Sequence, residues 1–176
     1  INQGIITKDG ILRAIVVLKE FKEKIKKYEI NENKIFAFGT SAFRNASNQN
    51  EVLKAIKENT SFSVVVISGD REAELIYKGV SEAVQMTNTS LIVDIGGGSV
   101  EFIICNAEGM LWKKSLEIGG QRLLELFQDS DPISSSAVNR LDDYLREKLL
   151  PLANACHQYS PKTMVGSSGT YDTLNS

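Results

Sequence analysis

The chain has 176 residues, of which 42% are hydrophobic and 24% charged, with 20 basic and 22 acidic side chains. This composition is ordinary for a globular chain, and the net charge of −2 gives no electrostatic basis for a nucleic-acid partner. No apolar run approaches the roughly 20 residues that a membrane span needs, and two cysteines and one histidine exclude a disulfide framework and a two-histidine metal site.

The first half of the chain predicts alternating helices and strands, an order typical of an α/β fold with a mostly parallel sheet. Asn48 and Glu51 have the spacing of a capping box and predict the start of a helix after a polar loop over 40–50. The predicted elements are a helix over 10–28, a strand over 34–39, a helix over 51–58, a strand over 63–67 and a helix over 71–84.

The second half opens on consecutive strands joined by short turns, which predict an antiparallel meander. Its predicted strands cover 90–95, 101–105, 110–118 and 162–165, and its helices cover 121–127 and 135–159. The last helix is predicted to kink or split at Pro151, and its apolar stripe comprises Val138, Leu141, Leu145 and Leu149. A boundary near residue 86 is predicted to separate a first domain, 1–86, from a second, 87–176.

The strongest chemical signal is the glycine-rich turn between the first two strands of that meander. Three glycines let backbone amides approach an anion without obstruction by side chains, and Ser99 adds a hydroxyl. Asp94 and Glu101 flank the turn, and two carboxylates beside a phosphate cradle can hold Mg²⁺ and orient a water molecule. The predicted cradle consists of Gly96, Gly97, Gly98 and Ser99.

Two further loops carry residues suited to phosphate. Gly166, Ser167, Ser168, Gly169 and Thr170 follow a buried strand, an arrangement that forms anion sites in many α/β folds. Thr40, Ser41 and Arg44 also follow a strand, at the sheet edge where ligands bind in such folds. A tight turn and a surface arginine remain open alternatives for these two loops.

A pair of glutamates follows the strand over 63–67. Glu72 and Glu74 lie two apart on a predicted helix, so at most one of them points into a cleft. Glu72 is nearer the strand end and is the better candidate for a general base. The alternative is a solvated first-turn glutamate that the helix dipole favours.

Together these segments resemble the exopolyphosphatase and guanosine pentaphosphate phosphohydrolase family, within the superfamily of actin, sugar kinases and heat-shock ATPases. The matching blocks are GTSAFRNASN at 39–48, ISGDREAELIYKGV at 67–80, LIVDIGGGSVEF at 91–102, SLEIGGQRL at 115–123 and VGSSGT at 165–170. The resemblance implies a bilobed, ribonuclease-H-like (actin-like ATPase) α/β fold, with 1–86 in the first lobe and 87–176 in the second. The active site would lie between the lobes.

The resemblance also implies an activity, namely Mg²⁺-dependent release of the terminal phosphate of inorganic polyphosphate or of the 5′ γ-phosphate of guanosine pentaphosphate. By position, Glu72 looks like the catalytic base, and Asp94 and Glu101 look like catalytic carboxylates that hold the metal. Arg44 looks like a phosphate clamp, and the two glycine loops look like phosphate-binding loops. The two cysteines, Cys105 and Cys156, lie far apart in the sequence and are interpreted separately, as reduced thiols of a cytoplasmic protein. A homodimer of the full-length form is one option.

Two departures from the family pattern matter. The family's first glycine loop, of the kind Asp-Leu-Gly-Ser-Asn-Ser, is expected before Ile1, so we expect a central fragment that carries half of the cleft. Arg71 stands where family members often carry a glutamate, and it is expected to lower the pKa of Glu72 if it folds toward that side chain. A non-catalytic sensor of guanosine tetra- or pentaphosphate and a related ATPase or kinase remain alternatives.

Overall fold

A computed structural model describes residues 4–171 of the chain, apart from the side chain of Glu32. Contacts within the chain group these residues into two compact units that divide between Ser68 and Gly69. The predicted boundary between 1–86 and 87–176 concerns the lobes of a longer fold, which this division does not test, so it stays a prediction. Within residues 4–171, no helix combines the length and the apolar character that crossing a bilayer requires.

The first unit is a small parallel α/β arrangement, as its sequence order predicts. Strands β1 and β2 pair in parallel, with Ala37 opposite Val64. Helices α1 and α3 form the core of this unit through Ile11, Ile15, Val52 and Ile56. The elements are α1 (Lys8–Lys27), a 3₁₀ turn (Glu32–Lys34), β1 (Ala37–Gly39), α2 (Ser41–Arg44), α3 (Gln49–Thr60) and β2 (Val64–Val66).

Two local predictions for this unit are wrong. The polar loop predicted over 40–50 contains the short helix α2. Asn48 is the residue before α3, but its side chain makes no capping hydrogen bond to that helix. Its amide instead pairs with the backbone of Ile6, where Oδ1 accepts from the nitrogen at 3.0 Å and Nδ2 donates to the carbonyl oxygen at 2.9 Å. A partner 42 residues away therefore outcompetes the local capping box.

The second unit is a four-stranded mixed sheet in the order β5-β4-β3-β6. The antiparallel meander is confirmed in β3, β4 and β5, and β6 runs parallel to β3. The elements are α4 (Gly69–Ala83), β3 (Ser90–Ile95), β4 (Val100–Asn106), β5 (Gly109–Leu116), α5 (Gly120–Phe127), α6 (Ser135–Lys148), α7 (Leu150–Tyr159) and β6 (Thr163–Ser167).

Both faces of this sheet are covered by apolar residues. Successive residues of its central strands point to opposite sides, so each strand contributes to both faces. Ile92, Ile103 and Cys105 pack with Ala73 of α4 on one face. On the other face the core consists of Val93, Val100, Phe102 and Ile118. It is joined by apolar side chains from the last two helices and from the residue between them, namely Tyr144, Leu145, Leu149 and Leu152. The site-bearing strands are therefore fixed from both sides.

The long helix predicted over 135–159 is divided, and Pro151 lies at the start of its second part, as predicted. The predicted apolar stripe is wrong at its first position, because Val138 is 45% exposed while the neighbouring Ala137 is fully buried. Both cysteines are unpaired, and Cys105 lies in the core.

Candidate active site

Asp94 and Glu101 lie directly opposite each other across the turn between β3 and β4. Residues that face each other in an antiparallel pair project from the same side of the sheet. Asp94 also lies opposite Ser167 of β6. The sheet topology thus collects two carboxylates and a hydroxyl at the ends of three neighbouring strands.

Glu101 is a buried carboxylate, only 2% exposed. The Ser115 hydroxyl on β5 donates to its Oε1 at 2.7 Å, and the Ser99 hydroxyl donates to it as well. Burial raises the pKa of Glu101, the two hydroxyl donors oppose that rise, and the charges of Glu72 and Asp94 add to it. The two hydroxyl groups therefore stabilise the ionised form of Glu101, while burial makes its ionisation less favourable than in water.

The glycine turn divides its backbone groups between two sides. The Gly96 amide donates to the Ser99 carbonyl at 3.0 Å, so it is engaged inside the turn. The amides of Gly97 and Gly98 donate to no protein acceptor among residues 4–171. The predicted cradle thus offers these two amides, while the Ser99 hydroxyl is committed to Glu101.

The loop predicted over 166–170 lies against the same strand end, although its first two residues, Gly166 and Ser167, belong to β6, because they pair with β3. The Ser167 hydroxyl donates to Asp94 Oδ2 at 3.1 Å, and the Thr170 hydroxyl donates to the Ile95 carbonyl at 2.9 Å. Ser168 adopts a positive φ of 69° and reaches the same carbonyl at 3.5 Å. The structure brings the two loops that the sequence paired into contact around the end of β3.

Glu72 lies in the first turn of α4 and is half-buried. Its charge acts on Glu101 and raises the pKa of that carboxyl group. Glu74 is directed elsewhere, because it accepts from Arg71 at 2.9 Å and from Lys113 of β5. As the helical spacing predicts, one glutamate of the pair joins the carboxylate cluster. Arg71 has folded toward Glu74.

The remaining predicted residues, Thr40, Ser41 and Arg44, belong to the first unit. Thr40 precedes α2, and Ser41 is buried in its first turn. An Arg44 guanidinium nitrogen donates to the Ile67 carbonyl at 3.2 Å, which ties this side chain to the segment that follows β2. The structure therefore assembles these three at the ends of both strands of their own unit.

The donor set near the turn suits a hard cation. Within residues 4–171 no three His, Cys, Asp or Glu side chains form a ready-made metal site. Mg²⁺ prefers oxygen ligands and is commonly held by one or two carboxylates, with phosphate oxygens and water completing its shell. Asp94 and Glu101 supply carboxylate oxygens of that kind, so the residues present fit Mg²⁺ held jointly by protein and phosphate.

Several contributors to this site were missed from the sequence. Ser115, Gly119 and Arg122 lie in the block SLEIGGQRL, which resembles the family but whose residue types do not by themselves predict a role. Each acts on the glycine turn or on Glu101 from at least 14 residues away along the chain. The sequence feature that could have revealed them is the polar and glycine-rich stretch at the end of a predicted strand.

Comparison with known proteins gives a consistent result. A family model described as the Ppx/GppA phosphatase family matches residues 2–176. The crystal structure of an exopolyphosphatase from Cytophaga hutchinsonii is 43% identical, with a TM-score of 0.93, over 99% of this chain and 55% of that one. The Ppx/GppA family member from Aquifex aeolicus is 30% identical, with a TM-score of 0.69, over 96% of this chain and 53% of that one.

A bifunctional 3-dehydroquinate synthase/phosphatase from Fusobacterium nucleatum is 33% identical over 173 residues, which cover 96% of this chain and 26% of that protein. The chain thus spans about half of the solved relatives and about a quarter of this curated one. The predicted fold class is confirmed, since the chain carries part of the α/β fold of those solved structures.

Proposed function

The chain belongs to the Ppx/GppA phosphatase family, and from that premise we propose that the whole protein is a phosphohydrolase. It releases the terminal phosphate of inorganic polyphosphate or the 5′ γ-phosphate of guanosine pentaphosphate, with Mg²⁺ as cofactor. The structural relative from Cytophaga hutchinsonii, described as an exopolyphosphatase, favours polyphosphate.

One observation carries the proposal. A glycine turn with two unengaged amides lies between opposed carboxylates, and a third carboxylate, Glu72, is close enough to raise the pKa of Glu101. Phosphoryl transfer to water needs positioning, charge stabilisation and an oriented nucleophile rather than covalent chemistry. Amides, carboxylates and a cation supply these parts without histidine or cysteine.

The residues divide the work as follows. The Gly97 and Gly98 amides bind oxygens of the terminal phosphate, and Glu72 accepts a proton from the attacking water. Asp94 and Glu101 hold Mg²⁺, which neutralises phosphate charge when it is bound. Ser167 keeps Asp94 in place through its hydroxyl.

The other predicted phosphate ligands contribute from two segments. Gly166 near the end of β6, together with Ser168, Gly169 and Thr170 of the loop after it, lines the side that faces phosphate. Thr40, Ser41 and Arg44 are phosphate ligands of the first unit, and Arg44 is suited to two parallel hydrogen bonds. A cytoplasmic location and a homodimer remain part of the proposal, and the two unpaired cysteines support the former.

The test is phosphate release by the full-length protein from polyphosphate and from guanosine pentaphosphate, measured side by side. Glu72→Gln should lower kcat by about 10²–10⁴, the usual contribution of a well-placed general base. The matched control is Glu82→Gln, an exposed glutamate on the same helix, which should leave kcat unchanged.

Full activity of Glu72→Gln would remove the assignment of the base. Tight binding of guanosine pentaphosphate by the wild type without any phosphate release would favour the non-catalytic sensor. Release from adenosine triphosphate that depends on an acceptor alcohol or acid would favour a kinase.

A further inference from the structure

Three consecutive carbonyls of the glycine turn are held by the segment that starts α5. The Gly120 amide donates to the Gly96 carbonyl at 3.0 Å, and the Arg122 amide donates to the Gly97 carbonyl at 3.1 Å. The Gly98 carbonyl accepts twice, from the Gly119 amide at 3.2 Å and from Arg122 Nε at 2.9 Å. No carbonyl of the three glycines is left without a donor.

This arrangement satisfies the start of α5 as well as the turn. The first amides of a helix have no acceptor inside the helix, and Gly119 at the cap position has no side chain to supply one. The carbonyls of Gly96 and Gly97 take that role, and their oxygens meet the positive end of the helix. The glycine turn therefore caps a helix with its carbonyl side.

The planarity of the peptide bond converts this contact into an orientation for the amides. In a trans peptide unit the C=O group and the N–H group that follows it point in opposite directions. Holding the carbonyls of Gly96 and Gly97 toward α5 turns the amides of Gly97 and Gly98 toward the other side. These are the same two amides that have no acceptor among residues 4–171.

Two residues make the close approach possible. A Cβ atom on Gly119 would lie 2.5 Å from the Gly97 carbonyl carbon and from the Gly98 nitrogen, so only glycine fits without moving the turn. Arg122 is itself oriented by Glu117, whose Oε2 accepts from a terminal guanidinium nitrogen at 2.7 Å. The guanidinium thus bridges the Glu117 carboxylate and the Gly98 carbonyl, the last of the three glycine carbonyls.

We propose that Arg122 and Gly119 are positioning residues that hold the glycine turn against the start of α5 and so keep the Gly97 and Gly98 amides directed at a bound phosphate. The inference rests on the proposed function for the identity of the anion. The Arg122 side chain acts beside these amides rather than on their own peptide units, because Nε holds the Gly98 carbonyl, which shares a peptide unit with the Ser99 amide, while a terminal nitrogen holds Glu117. This fork geometry anchors the end of the three-glycine run. A positive charge alone would not anchor it.

The test compares Arg122→Gln, Arg122→Lys and the control Arg140→Gln in the full-length protein. Arg140 is an exposed arginine of the same unit, and its ion pair with Asp129 is 3.6 Å long. Its replacement removes the same charge at a residue that plays no part in the proposal. The probe is inorganic tripolyphosphate with Mg²⁺, whose affinity is measured by calorimetry. Both Arg122 variants should bind at least about ten-fold more weakly, the lower end of what a lost charge-assisted hydrogen bond costs, and the control should not.

A second readout needs no ligand. Hydrogen exchange of the Gly119 amide should become at least about ten-fold faster in both Arg122 variants, because its acceptor, the Gly98 carbonyl, loses the hydrogen bond from Arg122 Nε that anchors it. Unchanged exchange overturns the proposal, and so does full affinity restored by lysine, which would assign the effect to charge. If the wild type binds no tripolyphosphate, the proposed function fails and exchange alone decides the role of Arg122. Binding without turnover removes only the catalytic part of the proposed function.

Discussion

The buried carboxylate of Glu101 makes the hydroxyl of Ser115 the most informative single atom to remove. Its Oγ donates to Glu101 Oε1 at 2.7 Å, and Glu101 is 2% exposed, so water has little access to replace the lost donor. A hydrogen bond to a charged acceptor is worth about 1.5–3 kcal/mol, against about 0.5–1.5 kcal/mol for a neutral pair. Ser115→Ala should therefore lower the free energy of unfolding by about 1.5–3 kcal/mol wherever Glu101 is ionised.

The penalty should depend on pH with a definite sign. Burial raises the pKa of Glu101 in the folded state, so the protonated form is favoured by folding. Its contribution to stability is complete below the ordinary carboxyl pKa and is lost as the pH rises through the raised folded value. Ser115→Ala removes a donor that lowers this pKa, so the loss extends to higher pH. The variant should fall furthest behind the wild type at neutral pH and approach it in acid.

The assay is urea unfolding of wild type and Ser115→Ala at about pH 5 and about pH 8, in buffer with a chelator so that bound cations do not contribute. Ser136→Ala, at an exposed serine of the same unit, serves as the control and should stay within about 0.5 kcal/mol. A deficit that is equal at both pH values, or no larger than the control's, would refute the account of Glu101.

Three other predictions concern the sheet, helix α4 and the cofactor. Ile103→Ala, at a fully buried residue of the central strand, should cost about 2–5 kcal/mol in urea unfolding, whereas Val138→Ala should cost under about 0.5 kcal/mol. The hydrogen bond from Lys113 lowers the pKa of Glu74, so this pair stabilises the fold above the ordinary carboxyl pKa and stops doing so as the pH falls through the lowered value. The thermal midpoints of wild type and Glu74→Gln should therefore converge in acid, and a gap that does not depend on pH would contradict this. Phosphate release by the full-length protein should stop on chelation and return with Mg²⁺, and release that persists in excess chelator would disprove the cofactor.

The fold was largely predictable because local patterns and tertiary packing agree. Strand β3 covers 90–95, as predicted, since an apolar run ends at a glycine-rich turn. The capping box at Asn48 failed for the opposite reason, because a backbone partner at Ile6 offered two hydrogen bonds in place of one. Local sequence reasoning cannot see such a partner.

The sequence predicts those residues of the candidate site that can be recognised from the spacing within a single strand, turn or helix. Helical spacing limited the choice between Glu72 and Glu74 to one, but Lys113, 39 residues from Glu74, decides which glutamate is tied elsewhere. Within the block SLEIGGQRL, the residue types of Ser115 and Arg122 do not by themselves indicate a role in the site. Their importance arises from the pairing of β4 with β5 and from the start of α5.

The distribution of charge around the turn bears on what kind of phosphate would bind there. Amides on one side attract an anion, yet Asp94, Glu101 and Glu72 place three carboxyl groups around the same strand ends, and two of them already raise the pKa of the third. A bare anion would meet that repulsion, which a partly buried setting screens weakly. A divalent cation shared between carboxylates and phosphate would turn the same repulsion into attraction. The residues therefore argue for a site that selects phosphate accompanied by a cation over anions in general, as a phosphohydrolase of cation-bound phosphate chains requires.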